Sequence, residues 1–231
     1  MQNSVRTLGP NEARVILGLQ AEAEEFITLA RVGEIIGGEQ VRARKVLHAL
    51  VNKGWLVKLG AGKYALVPAD RGPENIGENN ALAMASMAVE SSYVGWWSAA
   101  SFHGFTTQHP SRITVASTRQ IAEREIEGNR VHFVKVSPQK FFGGTPYEVF
   151  GRTAVISNPQ KTLADCIDRP DLCGGLAEVV RITYGAMSKV APDKFVETAT
   201  TMGSVSLMQR SGFLFDLVGW EIPSAVPHIK T

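Results

Sequence analysis

The most constraining feature of the chain is an unbroken succession of short elements in residues 29–67. A short helix is predicted to end at Gly37 and Gly38, a basic amphipathic helix covers residues 39–53, and a glycine-punctuated hairpin covers residues 55–67. A helix, a tight turn, a second helix and a hairpin are the parts of a winged helix-turn-helix. The order therefore predicts this fold for the N-terminal part of the chain.

Local capping signals support these helix boundaries. Pro10 suits the first position of a preceding helix, because proline has no amide hydrogen to leave unpaired there. Thr28 is a candidate N-cap for a helix over residues 29–36. Lys53 followed by Gly54 is typical of a helix C-terminus. The signals agree with two consecutive helices ahead of the hairpin.

Positive charge is concentrated in the same segment. Residues 31–67 contain seven Lys or Arg residues and two Glu residues, a net charge of +5, whereas the whole chain carries +2. Charge gathered in one small segment is expected of a surface that binds phosphates, and a general basic excess would indicate much less. The composition therefore favours nucleic acid as a partner of this segment.

The basic helix has two chemically different faces when its residues are placed at 100° intervals. The face predicted to be buried carries Ala43, Val46, Leu47 and Leu50. The candidate DNA-binding side chains on the other face and its flanks are Gln40, Arg42, Arg44, Lys45 and His48. In the major groove, Arg pairs with guanine and Gln pairs with adenine. Residues 40–54 contain no acidic side chain, and this absence argues against a merely solvated face, where Glu usually alternates with Lys.

The hairpin supplies two further candidates. Lys58 and Lys63 flank the glycine turn at residues 60–62, and both are predicted to contact the phosphate backbone, which positions a protein without reading sequence. An alternative interpretation is that the winged helix serves protein contacts, or that the charged helix face is only solvated.

The remaining residues predict a mixed α+β domain. The proposed division is a winged helix-turn-helix domain at residues 1–72, a polar linker at residues 73–80 and a mixed domain at residues 81–231. Predicted helices cover residues 81–90, 93–104, 158–165, 175–187 and 192–200, and predicted strands cover residues 112–117, 130–136 and 147–156.

No catalytic, metal or cofactor site is predicted in the mixed domain. His103 and His109 have no Cys or carboxylate at ligand spacing, and Ser98 lacks the flanking glycines of a nucleophile elbow. Asp165 and Asp168 lack a lysine arrangement that would indicate a nuclease. We therefore expect a protein that is not an enzyme.

The compartment is expected to be the cytoplasm, with no membrane partner. The N-terminal residues have no apolar run typical of a secretory signal, and no apolar stretch reaches the roughly 20 residues of a membrane span. Cys166 and Cys173 lack the further Cys or His of a zinc set, so both are interpreted as reduced, partly buried thiols.

Five blocks, in order along the chain, resemble one protein family. They include Ser-Ala-Ala-Ser-Phe-His-Gly at residues 98–104, Ile-Thr-Val-Ala-Ser-Thr-Arg at 113–119 and Ser-Asn-Pro-Gln-Lys-Thr-Leu-Ala-Asp at 157–165. Two more are Asp-Arg-Pro-Asp-Leu-Cys-Gly-Gly at residues 168–175 and Arg-Ser-Gly-Phe-Leu-Phe-Asp-Leu at 210–217. In these blocks the chain is similar to the AbiEi antitoxins.

The resemblance implies a transcriptional repressor and antitoxin of a type IV toxin–antitoxin system in phage defence. Its winged helix would bind inverted repeats in double-stranded DNA of its own promoter, through Arg42, Arg44, Lys45 and Lys63 by position. Its C-terminal domain would counter a nucleotidyltransferase-type toxin without forming a stable complex. The open alternatives are a stand-alone transcriptional regulator and a protein- or RNA-interaction module with no toxin partner.

Overall fold

The computed structural model describes residues 7–60, 62–67, 81–126 and 128–221. By its internal contacts the chain divides into two compact units, Met1–Val89 and Glu90–Thr231. Both units mix helices with a sheet, so the protein is of the mixed α/β type. The predicted linker at residues 73–80 lies outside the described residues.

The first unit contains four described helices and a three-stranded sheet. The helices are α1 (Pro10–Ala21), α2 (Leu29–Ile36), α3 (Gln40–Asn52) and α4 (Ala81–Met87). The strands are β1 (Phe26–Thr28), β2 (Leu56–Gly60) and β3 (Lys63–Leu66), which pair antiparallel in the order β1-β3-β2. The division by contacts assigns α4 to this unit, whereas the sequence-based division starts the second domain at residue 81 and remains a prediction.

The predicted capping of the first two helices is confirmed. Pro10 is the first residue of α1. The Thr28 side chain accepts a hydrogen bond from the backbone amide of Arg31 and so caps α2. Gly37 ends α2 with φ at +60°, a left-handed conformation that glycine adopts without a steric penalty. Because α2 stops there, the chain turns within three residues into α3.

The predicted core face of α3 is also confirmed. Its buried residues are Ala43, Val46, Leu47 and Leu50. They pack in one apolar cluster with Val15, Ile16 and Leu19 of α1 and with Val32 and Ile36 of α2. Burial of this stripe against two helices holds the opposite side of α3 towards solvent.

The second unit contains a six-stranded mixed sheet. Its strands are β4 (Ser92–Val94), β5 (Arg112–Ser117), β6 (Arg124–Ile126), β7 (Asn129–Lys135), β8 (Gly144–Val149) and β9 (Arg152–Ser157), in the order β6-β7-β5-β4-β9-β8. β5 pairs parallel with β7, and β4 pairs parallel with β9, while the other pairs are antiparallel. The parallel pairing brings the ends of β4 and β9 together, and each is followed by a helix.

The described helices of this unit complete its core. They are α5 (Trp96–Phe102), α6 (Pro159–Asp168), α7 (Leu176–Ala186), α8 (Pro192–Met202) and α9 (Val205–Val218). One apolar cluster joins Leu163 of α6, Ile182 of α7, Phe195 of α8 and Phe215 of α9 to Ala116 of the sheet. α6 is the central helix, since it contacts α5, α7, α8 and α9.

Two predicted elements of this unit are wrong in type or extent. Residues 93–104 were expected to form one helix, but Tyr93 and Val94 belong to β4, and the helix begins only at Trp96. Residues 147–156 were expected to form one strand, but they contain a turn at Phe150 and Gly151, where both φ angles are positive. Two successive positive φ angles favour a tight hairpin, so the chain reverses there.

Membrane insertion has no candidate segment among the described residues. None of the helices in those ranges combines the length and the apolar composition needed to cross a bilayer.

Candidate functional site

The exposed face of α3 is the candidate site of the first unit. All five predicted side chains on this helix, namely Gln40, Arg42, Arg44, Lys45 and His48, are exposed. Core packing on the opposite face fixes this orientation, as described above. Val41 was absent from the predicted set, yet 60% of its surface is exposed. At 100° per residue Val41 lies directly opposite the buried stripe of α3, and this angular position is the sequence signal that identifies it.

A hydrogen bond along α3 sets the hydrogen-bonding character of His48. The Asn52 amide nitrogen lies 3.3 Å from His48 Nδ1, and because an amide NH₂ only donates, Nδ1 of a neutral imidazole accepts. The proton of neutral His48 is therefore on Nε2, which is left as the free donor of the ring. His48 thus offers a donor on the same face as Arg44 and Lys45.

Carboxylates, most of them from outside residues 31–67, pair with two of the seven basic side chains in that segment. Arg31 forms ion pairs with Glu22, Glu24 and Glu34. Lys53 Nζ lies 2.7 Å from an oxygen of Glu12 on α1. The net charge of the segment therefore overstates the charge available to a ligand.

The two lysines of the hairpin differ in their surroundings. Lys63 Nζ donates to the backbone carbonyl of Met87 at 3.3 Å and lies 4.3 Å from the centre of the Phe26 ring. Lys58 is exposed, and no carboxylate among the described residues pairs with it. Lys58 therefore has a free ammonium at the hairpin, whereas one of the three N–H donors of Lys63 is taken by Met87.

The basic side chains of this segment that have no partner lie on two elements in contact, α3 and β2. Within the described ranges, the basic side chains of residues 31–67 that have neither a carboxylate nor a carbonyl partner are Arg42, Arg44, Lys45 and Lys58. Three of them are on α3, and the fourth is on the neighbouring hairpin. An arrangement of this kind can bind an extended polyanion across a helix and the hairpin beside it.

A buried ion pair lies at the centre of the second unit. Lys161 and Asp165, one turn apart on α6, are 1% and 3% exposed, and their side chains form a salt bridge. Lys161 Nζ also lies 5.1 Å from the centre of the Phe142 ring and 5.7 Å from that of Tyr93. The second carboxylate oxygen of Asp165 has no hydrogen-bond partner. Burial raises the pKa of this carboxyl, and the charge of Lys161 opposes that shift.

A second aspartate of α6 is held by residues distant in sequence. Asp168 pairs with Lys140 at 2.5 Å and accepts a hydrogen bond from Ser204 Oγ at 2.6 Å. Arg210 of α9 donates to the backbone carbonyl of Asp168 at 2.7 Å. These contacts tie α6 to the start of α9 and to the loop before β8, so the aspartate has a structural role.

His103 is a packed histidine of the second unit. Its Nε2 donates to the backbone carbonyl of Ser157 at 2.7 Å, and its ring packs against Phe102, Phe105 and Tyr147. Burial lowers the pKa of His103, the hydrogen bond to Ser157 opposes the shift, and nearby Lys189 adds to it. The imidazole is therefore held in its neutral form.

The lowered pKa of His103 predicts that acid destabilises the second unit. Since the folded-state pKa lies below the unfolded value of roughly 6.5, this contribution to stability is present above that value and is lost as pH falls towards the folded-state pKa. We expect His103→Gln, which cannot titrate, to show a smaller fall in melting temperature between pH 7 and pH 5. His109→Gln, at an exposed site, is the control, and equal slopes for the two variants would contradict the assignment.

The two cysteines form neither a reactive nor a metal site within the described part of the chain. Cys166 and Cys173 are free and buried. Burial, together with a hydrogen bond to Cys173, raises the pKa of the Cys166 thiol, which disfavours the reactive thiolate. In the described ranges, no three His, Cys, Asp or Glu side chains are grouped so that they could hold a metal ion.

Comparison with known proteins assigns the second unit. The family model described as the AbiEi antitoxin C-terminal domain matches residues 93–217. The crystal structure of the RV2827C protein from Mycobacterium tuberculosis is similar to this fold with a TM-score of 0.64, over 94% of this chain and 80% of that chain. Its sequence is 19% identical, so this likeness concerns the fold alone. None of the curated proteins matches the chain.

The matched residues define the class of protein. They include β4 to α9 almost completely, and they make up more than half of the 231 residues. The class is that of antitoxins, proteins that act in a pair with a toxin. The chain belongs to the AbiEi antitoxin family.

Proposed function

We propose that the first unit is a winged helix-turn-helix that binds double-stranded DNA, and that the whole protein is a transcriptional repressor as well as an antitoxin. The observation that carries the proposal is the exposed face of α3, with Arg42, Arg44 and Lys45 unpaired and no acidic side chain from residue 40 to residue 54. In this proposal α3 enters the major groove and the β2–β3 hairpin contacts the backbone beside it.

The element order of the first unit supports this proposal. β1, α2, α3, β2 and β3 follow one another, and three residues separate α2 from α3. β2 and β3 pair antiparallel, with Gly60 opposite Lys63, and the short connection between these two strands would be the wing. The exposed position of Lys58 near the end of β2 supports a backbone contact, and Lys63 keeps two N–H donors beside the one that Met87 accepts.

The operon-level role follows from family membership and the proposed DNA binding together. The protein would bind inverted repeats in its own promoter and repress a type IV toxin–antitoxin operon that acts in phage defence. The toxin would be a nucleotidyltransferase, countered by the second unit without a stable complex. The regulator itself would not be an enzyme and would work in the cytoplasm without a cofactor.

The proposed DNA binding predicts a strong dependence on salt. Contacts with three or four phosphates release condensed counterions, so the logarithm of the binding constant should fall with the logarithm of salt concentration at a slope of about −3. The measurement is fluorescence anisotropy of the full chain on DNA from immediately upstream of its own gene. Scrambled DNA of the same composition is the control, and it should bind more weakly with a similar slope.

Two results would contradict the proposal. Binding that hardly responds to salt would indicate contacts without counterion release and would favour an interaction module for proteins. Equal affinity for upstream and scrambled DNA would contradict a role as a sequence-specific repressor. The antitoxin role is tested separately. Co-expression of this protein with the product of the neighbouring gene should restore growth, and co-purification should recover no complex of the two proteins.

A further inference from the structure

Val41 is an exposed apolar side chain in the middle of the basic face of α3. Taking Val41 as 0°, Asn52 lies at 20°, Lys45 at 40° and His48 at 340°, which follows from the helical angle of about 100° per residue. The buried residues Val46 and Leu50 lie at about 140° and 180° on the same scale. Val41 therefore points away from the core, and 60% of its surface is exposed.

The surroundings of Val41 indicate which ligand would cover it. Arg44 and Lys45, three and four residues further along the helix, are its neighbours on this face. Neither has a carboxylate partner among the described residues. An acidic protein surface would satisfy the charges, but it would leave the valine among carboxylates. The charge pattern instead fits a polyanion that presents one apolar group between its charges.

The major groove of DNA presents such a group. Among the four bases, only thymine carries a methyl group at the groove surface, and apolar side chains contact it. Residues three or four apart on a helix are separated by roughly 4.5 to 6 Å along the axis, against about 3.4 Å between successive base pairs. Val41 and Arg44 would thus face positions within about two base pairs of each other.

From this arrangement we infer that Val41 contacts the methyl group of a thymine, within about two base pairs of the position faced by Arg44. The inference rests on the proposed function and names a part of the DNA sequence that the protein would select. Val41 is then a specificity residue that acts by apolar contact, beside side chains that act by charge and hydrogen bonding.

Substitution of thymine by uracil tests the contact, because uracil lacks only the methyl group and keeps every hydrogen-bonding group of the base. The segment upstream of the gene that the full chain protects from nuclease is made as a set of duplexes, each with one thymine replaced by uracil. Affinities are measured for the wild type, for Val41→Ala, and for Leu17→Ala. Leu17 is the matched control because it is an exposed apolar residue of the same unit, on α1 and not on α3.

Loss of one buried methyl group corresponds to about a fourfold loss of affinity. We expect one thymine in each half-site where uracil weakens binding of the wild type and of Leu17→Ala by about that factor. For Val41→Ala, binding to the unmodified duplex should be weaker by a similar factor, and uracil at the same position should cause no further loss. Alanine is a better helix former than valine, so this variant should fold.

The outcomes separate this inference from the proposed function. A protected segment whose binding is reduced by Arg44→Ala, but which tolerates uracil at every position, would overturn the thymine contact and leave DNA reading intact. The thymine contact by Val41 would also be overturned if uracil at a sensitive position weakened binding of Val41→Ala as much as binding of the wild type. The absence of any protected segment and of any preference for upstream DNA would overturn both.

Discussion

Replacing Arg44 with alanine is expected to weaken binding to upstream DNA by about 5- to 150-fold, equivalent to roughly 1–3 kcal/mol. Arg44 is exposed on the acid-free face of α3, and its guanidinium has no partner within the described part of the chain. A bidentate contact with guanine is specific to one base pair, so the variant should also lose preference at one position of the half-site. Competition with duplexes carrying all four base pairs at each position measures both effects.

Lys58→Ala is the matched control for this prediction. Lys58 is also exposed and unpaired, but it is on the hairpin, where we expect a phosphate contact. Its removal should weaken binding to all sequences alike and lower the magnitude of the salt slope by about 1. If Arg44→Ala caused the same loss on upstream and scrambled DNA, Arg44 would be a backbone contact and not a base contact.

Replacing Lys161 with methionine is expected to destabilise the second unit by about 3–5 kcal/mol, because it leaves the buried carboxylate of Asp165 without its partner. Urea unfolding at pH 7 measures the loss. The loss should shrink as pH falls. Without Lys161 the largest influence that opposes burial is gone, although Lys140 still contributes, so the folded-state pKa of Asp165 stays above its unfolded value and protonation favours the folded state.

Two further variants distinguish a buried charge from general damage to the core. Adding Asp165→Leu to Lys161→Met removes both charges, and it should recover much of the lost stability. Lys194→Ala breaks the ion pair with Glu197, in which both side chains are mostly exposed, and it should change the stability far less than Lys161→Met does. A double variant as unstable as Lys161→Met would show that side-chain shape, and not charge, explains the loss.

Local periodicity was sufficient to predict the candidate site. The core stripe and the exposed basic face of α3 both follow from the angular positions of residues within thirteen consecutive positions. The same angles place Val41 on the exposed face, but selection of DNA contacts by charge and hydrogen bonding does not identify an apolar residue. The exposed face of α3 is therefore predictable from the sequence, whereas an apolar contact within that face is not.

Contacts between residues distant in sequence could not be predicted. Lys63 lies next to a glycine turn, which indicates a wing contact, but its ammonium binds the carbonyl of Met87, which is 24 residues further on. Lys53 pairs with Glu12 across 41 residues, and Asp168 pairs with Lys140 across 28 residues. Counting charge along the chain misses such pairs, because it does not record which side chains meet in space.

The hairpin of β8 and β9 shows a different reason why a prediction from sequence fails. Residues 147–156 contain β-branched and aromatic side chains on both sides of Phe150 and Gly151, so propensity favours one continuous strand. The turn is formed by a phenylalanine with φ at +48°, a conformation that bulky residues rarely adopt. Cross-strand pairing from Gly144↔Ser157 to Val149↔Arg152 stabilises this turn. Gly151 is a local turn signal, but propensity does not indicate a left-handed conformation at Phe150.

The two apolar clusters described above each lie within one unit, and this affects how unfolding experiments on the protein must be interpreted. One cluster extends from Val15 to Leu56 and the other from Tyr93 to Trp220. A chain with two cores need not unfold as a single cooperative species. Trp55 is in the first unit, whereas Trp96, Trp97 and Trp220 are in the second. Indole fluorescence therefore reports mainly the unfolding of the second unit, whereas calorimetry registers heat from both units. Coincident unfolding transitions by the two methods would reveal coupling between the units.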